Sequence, residues 1–136
     1  MEIKIYTDGA CTGNPGPGGW AAVILTEENR KEIFGGERLT TNNRMELTAT
    51  IKALEHWEEQ EGKQPSLEKI KIFTDSVYVK EGITVWIKKW EKNNWKTADK
   101  KNVKNVDLWK KLKELTKSSQ IEWNWIKGHS EDPMND

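Results

Sequence analysis

The feature that most constrains this fold is a short stretch written twice. Ile3-Lys4-Ile5-Tyr6-Thr7-Asp8 returns as Ile70-Lys71-Ile72-Phe73-Thr74-Asp75, with one aromatic residue exchanged for another. Each copy alternates, with Ile, Ile and Thr on one face and Lys, an aromatic ring and Asp on the other, which is the period of a β-strand. Each copy is expected to stop at its Asp, where Gly9 or Ser76 begins something new. A long helical pattern separates them, and similar strands joined through a helix commonly lie parallel in one sheet. As in-register neighbours roughly 4.8 Å apart, they would bring Asp8 and Asp75 out side by side. Two carboxylates that close repel, so one takes a proton or both share a cation. The carboxyl ends of parallel strands are also where open α/β sheets hold ligands. From the repeat alone, two surface Asp residues ending ordinary strands fit equally well.

After the first strand, the run from Gly9 to Gly19 is dense in Gly and Pro and predicts an irregular loop. No Gly-Lys-Ser/Thr follows and no helix opens after it, so it is not a phosphate-cradling loop; a bare turn also accounts for it. Trp20 to Leu25 and Lys31 to Leu39 predict an antiparallel pair across the turn Thr26 to Arg30, completing a meander with the first strand. A helix begins near Thr40-Thr41-Asn42-Asn43-Arg44-Met45-Glu46, in which Asn43 and Glu46 have the spacing of an N-cap and its capping partner. The helical wheel gives Glu46 a second reading. Leu47, Ala49, Ile51, Ala53, Leu54 and Trp57 span one apolar arc with Glu46 near its middle, opposite Thr48, Lys52, Glu55 and Glu59. A carboxylate on the sheet-facing side is costly unless paired. Glu46 is therefore a candidate third acid beside Asp8 and Asp75, while His56, off the arc, reads as a surface residue.

Gly62 to Ser66 is a polar connection into the second strand copy. Ser76 to Glu81 predicts a short helix closed by Gly82, and Thr84 to Trp90 another. Asn93 to Asn105 reads as a basic loop, with Asn105 capping a helix from Val106 to about Thr116 that buries Leu108, Trp109, Leu112 and Leu115. The net charge of the chain is zero, but Lys80 to Lys113 holds eleven lysines against four acids, a local charge of +7. That asymmetry points to a polyanion-facing segment. Lysines interleaved with Trp86, Trp90 and Trp95 suit nucleic acid, although a tryptophan core under a solvated basic surface fits Trp86 and Trp90 as well. Trp95, in the loop, is the more open. A last strand, Gln120 to Lys127, ends in Lys127-Gly128-His129-Ser130, whose histidine can titrate near neutrality.

At 136 residues with eight Trp, the chain fits one domain with a substantial core. The single cysteine, Cys11, fits a reducing compartment, and the first residues hold no long apolar run; a cytoplasmic protein is expected.

Together these stretches resemble a type 1 ribonuclease H (ribonuclease HI). The match runs through Thr7-Asp8-Gly9, Gly13-Asn14-Pro15-Gly16-Pro17-Gly18-Gly19, Thr41-Asn42-Asn43-Arg44-Met45-Glu46-Leu47, Thr74-Asp75-Ser76, Trp95-Lys96-Thr97-Ala98-Asp99-Lys100-Lys101 and Gly128-His129. The resemblance implies an α/β fold with a five-stranded mixed sheet, three antiparallel then two parallel strands, flanked by helices. It implies cleavage of the RNA strand of an RNA–DNA hybrid with two Mg2+ ions, for which Mn2+ can substitute, leaving 5′-phosphate and 3′-hydroxyl ends. By position, Asp8, Glu46 and Asp75 become the metal-binding carboxylates and His129 the loop histidine assisting proton transfer or product departure. Asn14, Asn42 and Asn43 fall at minor-groove contacts, and Thr41, Arg44 and Asn105 near DNA-phosphate contacts. Trp86 to Lys104, including Trp90, Trp95, Lys96, Lys100, Lys101 and Lys104, matches the basic protrusion gripping the DNA strand. No membrane and no obligate protein partner are implied, and a monomer is expected.

Two departures stand out. Val77 replaces a residue often polar in the family, and the chain stops three residues short of the family's fourth carboxylate at the start of a final helix. Residues 1–136 are thus expected to be a single ribonuclease H domain lacking that helix. A hybrid-binding module with weak or no catalysis is the alternative, and another polynucleotidyl transferase of the same fold, such as an integrase-like enzyme, a third.

Overall fold

The twin stretches lie side by side. The computed structural model describes residues 2–27, 29–60, 69–97, 99–117 and 120–126. Along the chain come β1 (Glu2–Cys11), β2 (Gly16–Leu25), β3 (Arg30–Thr40), α1 (Asn42–Gln60), β4 (Lys69–Thr74) and α2 (Val77–Glu81). A π-helical turn (Gly82–Trp86), α3 (Ile87–Lys92), α4 (Val106–Lys117) and β5 (Gln120–Trp125) follow. The sheet runs β3-β2-β1-β4-β5, antiparallel in its first two pairings and parallel in the others. Ile3 faces Ile70, Ile5 faces Ile72 and Tyr6 faces Phe73, so the repeat is in register. Ile3, Ile5, Thr7, Ile70, Ile72 and Thr74 are buried, while Tyr6 and Phe73 stack with ring centres 4.7 Å apart.

Strand β1 does not stop at its Asp. Gly9, Ala10 and Cys11 continue it against Trp20, Gly19 and Gly18, because β2 begins at Gly16 and offers them a ladder. The irregular loop shrinks to the residues between the two strands. The second copy does stop, at Thr74. Ser76 turns the chain into α2 by accepting the Val79 N–H at 3.2 Å, while its own N–H goes to the Thr74 hydroxyl at 3.0 Å.

Helix α1 buries Leu47, Ala49, Ile51, Ala53, Leu54 and Trp57, as the apolar arc predicts, and Met45 outside that arc as well. Fully burying an aliphatic or aromatic side chain contributes roughly 1.5–3 kcal/mol, so this face anchors the helix. Thr48 is buried too, against the expectation that it faces water; its hydroxyl donates to the Arg44 carbonyl at 2.7 Å, which removes the cost of covering it.

Gly82 follows Glu81 at the C-cap of α2, as expected, but does not stop the helical path. It sits at φ −60° and ψ −47° within one helical run from Val77 to Lys92, and a Cβ there would meet the ring of the buried Trp109. The π-helical turn begins at this glycine, against the Trp109 ring of α4. Trp86, Trp90 and Trp95 all pack against the core, Trp95 included, with Trp90 lying 5.5 Å from Trp109 and 6.2 Å from Trp95 between ring centres. The loop therefore turns Trp95 inward, at a positive φ of 61°. Its lysines stay outside: Lys96 pairs with Asn102 as an isolated antiparallel bridge, and Lys96, Lys100, Lys101 and Lys104 are exposed. No helix among the described residues is long and apolar enough to cross a membrane.

Candidate active site

Three elements deliver one acid each to the same place. Asp8 comes from β1, Glu46 from the second turn of α1, and Asp75 from just beyond β4. Each offers a carboxylate oxygen, and these oxygens all lie within 4.8 Å of one another. The predicted carboxylate trio is thus brought together.

The role of Glu46 is decided by which residue caps α1. That residue is Thr41, whose hydroxyl oxygen accepts the Arg44 N–H at 3.2 Å, and Asn43 lies inside the helix. Glu46 is therefore no capping partner. Its Oε1 instead accepts the Gly9 N–H of β1 at 3.2 Å. Gly9 permits this approach, since a Cβ there would lie 2.5 Å from the Glu46 nitrogen and 2.7 Å from the Met45 oxygen. Without that bare backbone the helix would stand off the strand and the acid would not reach the cluster.

Burial, then the charges of Asp75 and Asp8, push the Glu46 carboxyl up to about 8, against the pull of the Gly9 hydrogen bond. Its Oε2 is buried with no hydrogen-bond partner among the described residues. An orphaned carboxylate oxygen beside two further acids is the hard, all-oxygen donor set that Mg2+ or a similar divalent cation takes. The residues fit such an ion.

A groove of about 630 Å3 opens beside the first turn of α1, lined by Asn14, Thr41, Asn43, Tyr78, Trp90, Thr97, Val103, Lys104 and Asn105. Six of these are sequence-predicted contacts for nucleic acid: Asn14, Thr41, Asn43, Trp90, Lys104 and Asn105. Asn42 is exposed beside it, its N–H bonded to the Asn14 side chain at 3.1 Å, which ties the β1–β2 loop to the helix.

Asn105 does not cap α4 with its side chain. Its Oδ1 accepts from Arg44 at 3.1 Å and its Nδ2 donates to the Tyr78 hydroxyl at 3.1 Å, so the amide is committed across the groove, at a backbone φ of 58°. Arg44 also forms a two-bonded pair with Asp107, at 3.2 and 3.1 Å, which holds the Asp107 carboxyl below the usual carboxylate range. Tyr78 was missed by sequence reasoning. Within a short apolar helix it reads as core filler, and only the fold shows its hydroxyl facing Asn105 and the Trp109 indole. His129 lies outside the described residues.

The family model described as RNase H matches residues 1–136. The chain is 55% identical over 134 residues to a protein named Ribonuclease H from Maricaulis maris, covering 98% of this chain and 86% of that one. It is 53% identical over 136 residues to the Ribonuclease H of Cupriavidus metallidurans, covering 100% and 89%. Among solved structures, LC11-RNase H1 in complex with an RNA/DNA hybrid superposes with a TM-score of 0.74 at 25% identity, covering 98% of this chain and 91% of that one. The chain belongs to the ribonuclease H family.

Proposed function

We propose that this protein is an endonuclease that hydrolyses the RNA strand of RNA–DNA hybrids, leaving 5′-phosphate and 3′-hydroxyl ends. The observation that carries the reading is the convergence of Asp8, Glu46 and Asp75 within 4.8 Å, next to a groove lined by amides and a lysine. The three carboxylates of Asp8, Glu46 and Asp75 would hold divalent ions, Mg2+ by preference with Mn2+ able to substitute. When bound, such ions supply an activated water and stabilise the departing oxygen. The chain's own residues do the rest. Glu46 loses its proton to join the site, and the Gly9 N–H holds the resulting charge in place.

Asn14, Asn42 and Asn43 suit the minor groove of a hybrid, where 2′-hydroxyls distinguish RNA from DNA and short amides both donate and accept. Thr41, Arg44 and Asn105 suit phosphates of the DNA strand, and Lys96, Lys100, Lys101 and Lys104 supply exposed charge toward it. Trp86, Trp90 and Trp95 support that surface from beneath, with Trp90 reaching the groove. His129 would assist proton transfer or product departure. A binding module without catalysis gains no support from a buried, orphaned Glu46 oxygen, which has no use in mere binding.

The direct experiment incubates the chain with an end-labelled RNA–DNA hybrid, with and without Mg2+. Metal-dependent fragments from the RNA strand alone are expected. Tight binding with no cleavage in either Mg2+ or Mn2+ would instead establish the module.

A further inference from the structure

Asp75 differs from the other two acids in having no regular backbone beneath it. Asp8 lies within β1 and Glu46 within α1, whereas β4 ends at Thr74 and α2 begins only at Val77. Among the described residues, the main-chain bonds between β4 and the end of β5 run as far as the Ile126 N–H and the Thr74 carbonyl, at 2.9 Å. The next carbonyl, that of Asp75, is met by a side chain: the Trp125 indole Nε1–H donates to it at 3.1 Å. Trp125 is the final residue of β5, an edge strand, and is 44% exposed, so burial alone does not account for a tryptophan there. The Lys80 ammonium lies over its ring, 5.6 Å from the ring centre.

We propose that Trp125 is a positioning residue for Asp75, pinning its main chain at the end of β4 so that its carboxylate stays with Asp8 and Glu46 despite their mutual repulsion, and that Lys80 steadies the ring. The inference rests on reading the cluster as a divalent-cation site. Loss of the indole bond would loosen the Asp75 main chain beside Asp8 and Glu46 in the metal-free protein. An incoming ion must then pull it back, which lowers affinity.

The test is a Mg2+ titration of the substrate-free chain followed by NMR, comparing wild type with Trp125→Phe, which keeps an aromatic ring but loses the donor. The expected result is a rise in the Mg2+ dissociation constant of about 2- to 10-fold, the span of one net hydrogen bond. Hybrid affinity in EDTA should stay within about twofold, since the groove is untouched. Lys80→Met should move the constant the same way by about twofold, the size of an exposed cation–π contact. In wild type the Trp125 indole proton should exchange slowly with solvent and shift on Mg2+ addition, a readout that needs no variant to fold. Wild-type Mg2+ affinity in Trp125→Phe, or an indole proton exchanging as a free indole does, overturns the inference. If the wild-type signals of Asp8, Glu46 and Asp75 ignore Mg2+ altogether, the cation site itself falls and the inference with it.

Discussion

The first turns of α1 serve two regions built on opposite principles. Glu46 reaches into the acid cluster, while Thr41 and Asn43 line the groove that runs to Lys104 and Asn105. In the cluster, three carboxyl groups are forced together by strand register, by the missing side chain of Gly9 and by the termination of β4. In the basic segment, charges of the other sign sit on exposed side chains around a packed tryptophan array, those of Lys96, Lys100, Lys101 and Lys104. One region is defined by backbone geometry and tolerates no error. The other is defined by charge density and tolerates much. Substitutions should therefore act all-or-none in the first and by increments in the second.

The sharpest test is Asp8→Asn. Removing an outer partner of a metal ligand typically costs about 10- to 100-fold, and removal of a ligand itself should exceed that. Cleavage should fall below detection in a standard assay, while the melting temperature in EDTA rises because one of the crowded carboxyl groups is gone. Cleavage at the wild-type rate would dissolve the distinction between the regions.

The basic segment should answer differently. Each lysine that meets a phosphate contributes about 0.9 to the slope of log affinity against log salt. Replacing Lys96, Lys100, Lys101 and Lys104 together by Ala should weaken hybrid binding and flatten that slope, and each single replacement should give only a fraction of the effect. One lysine carrying the whole loss would mean that this segment, too, is a built site.

A smaller effect separates the regions by pH. The Glu46 carboxyl is raised from 4.5 to about 8 in the folded protein. Below pH 4.5 both folded and unfolded chains hold the proton; above it the unfolded chain releases it first, so metal-free stability from this group is lost as pH climbs toward 8. Melting temperatures in EDTA should fall across that window in wild type and lose this component in Glu46→Gln. Equal pH dependence in the two chains would show that the residue carries no raised carboxyl.

The same contrast explains what could be read from the sequence. The repeat gave strand register, and with it the pairing of Asp8 and Asp75, because a period of two leaves no freedom in which face a side chain takes. The helical wheel exposed Glu46 because a carboxylate in an apolar arc violates the pattern. Side chains that act across elements were not legible. By local spacing Asn43 and Asn105 read as caps, yet the Thr41 side chain caps α1 and Asn105 spends its amide on Arg44 and Tyr78, partners 61 and 27 residues away. Gly82 looked like a helix stop because Trp109, which needs its missing side chain, lies 27 positions further on and announces nothing locally. Trp95 looked open for the same reason.

The finest test lies where the two regions meet. Arg44, two positions before Glu46 in α1, reaches across to Asn105 and to Asp107 at the start of α4, so its charge is shared between the groove and an acid on its rim. The pair is exposed, with 31% of the Arg44 side chain and 64% of the Asp107 side chain accessible. Such pairs contribute between about 0 and 1 kcal/mol, so Asp107→Ala should lower stability by less than about 1 kcal/mol in chemical denaturation. Its effect on binding should have the opposite sign. Removal of Asp107 leaves Arg44 bonded to the Asn105 amide alone, takes a negative charge from the groove and frees two guanidinium N–H groups for a phosphate. Hybrid affinity should tighten by a few-fold at low salt, with the salt slope steepened by up to about one phosphate contact. The cleavage rate at saturating hybrid should not change, because no member of the acid cluster has moved. A slope identical to wild type would mean that Arg44 faces no phosphate and serves only to orient Asn105. A changed saturated rate would mean that the groove and the acid cluster are mechanically coupled through α1.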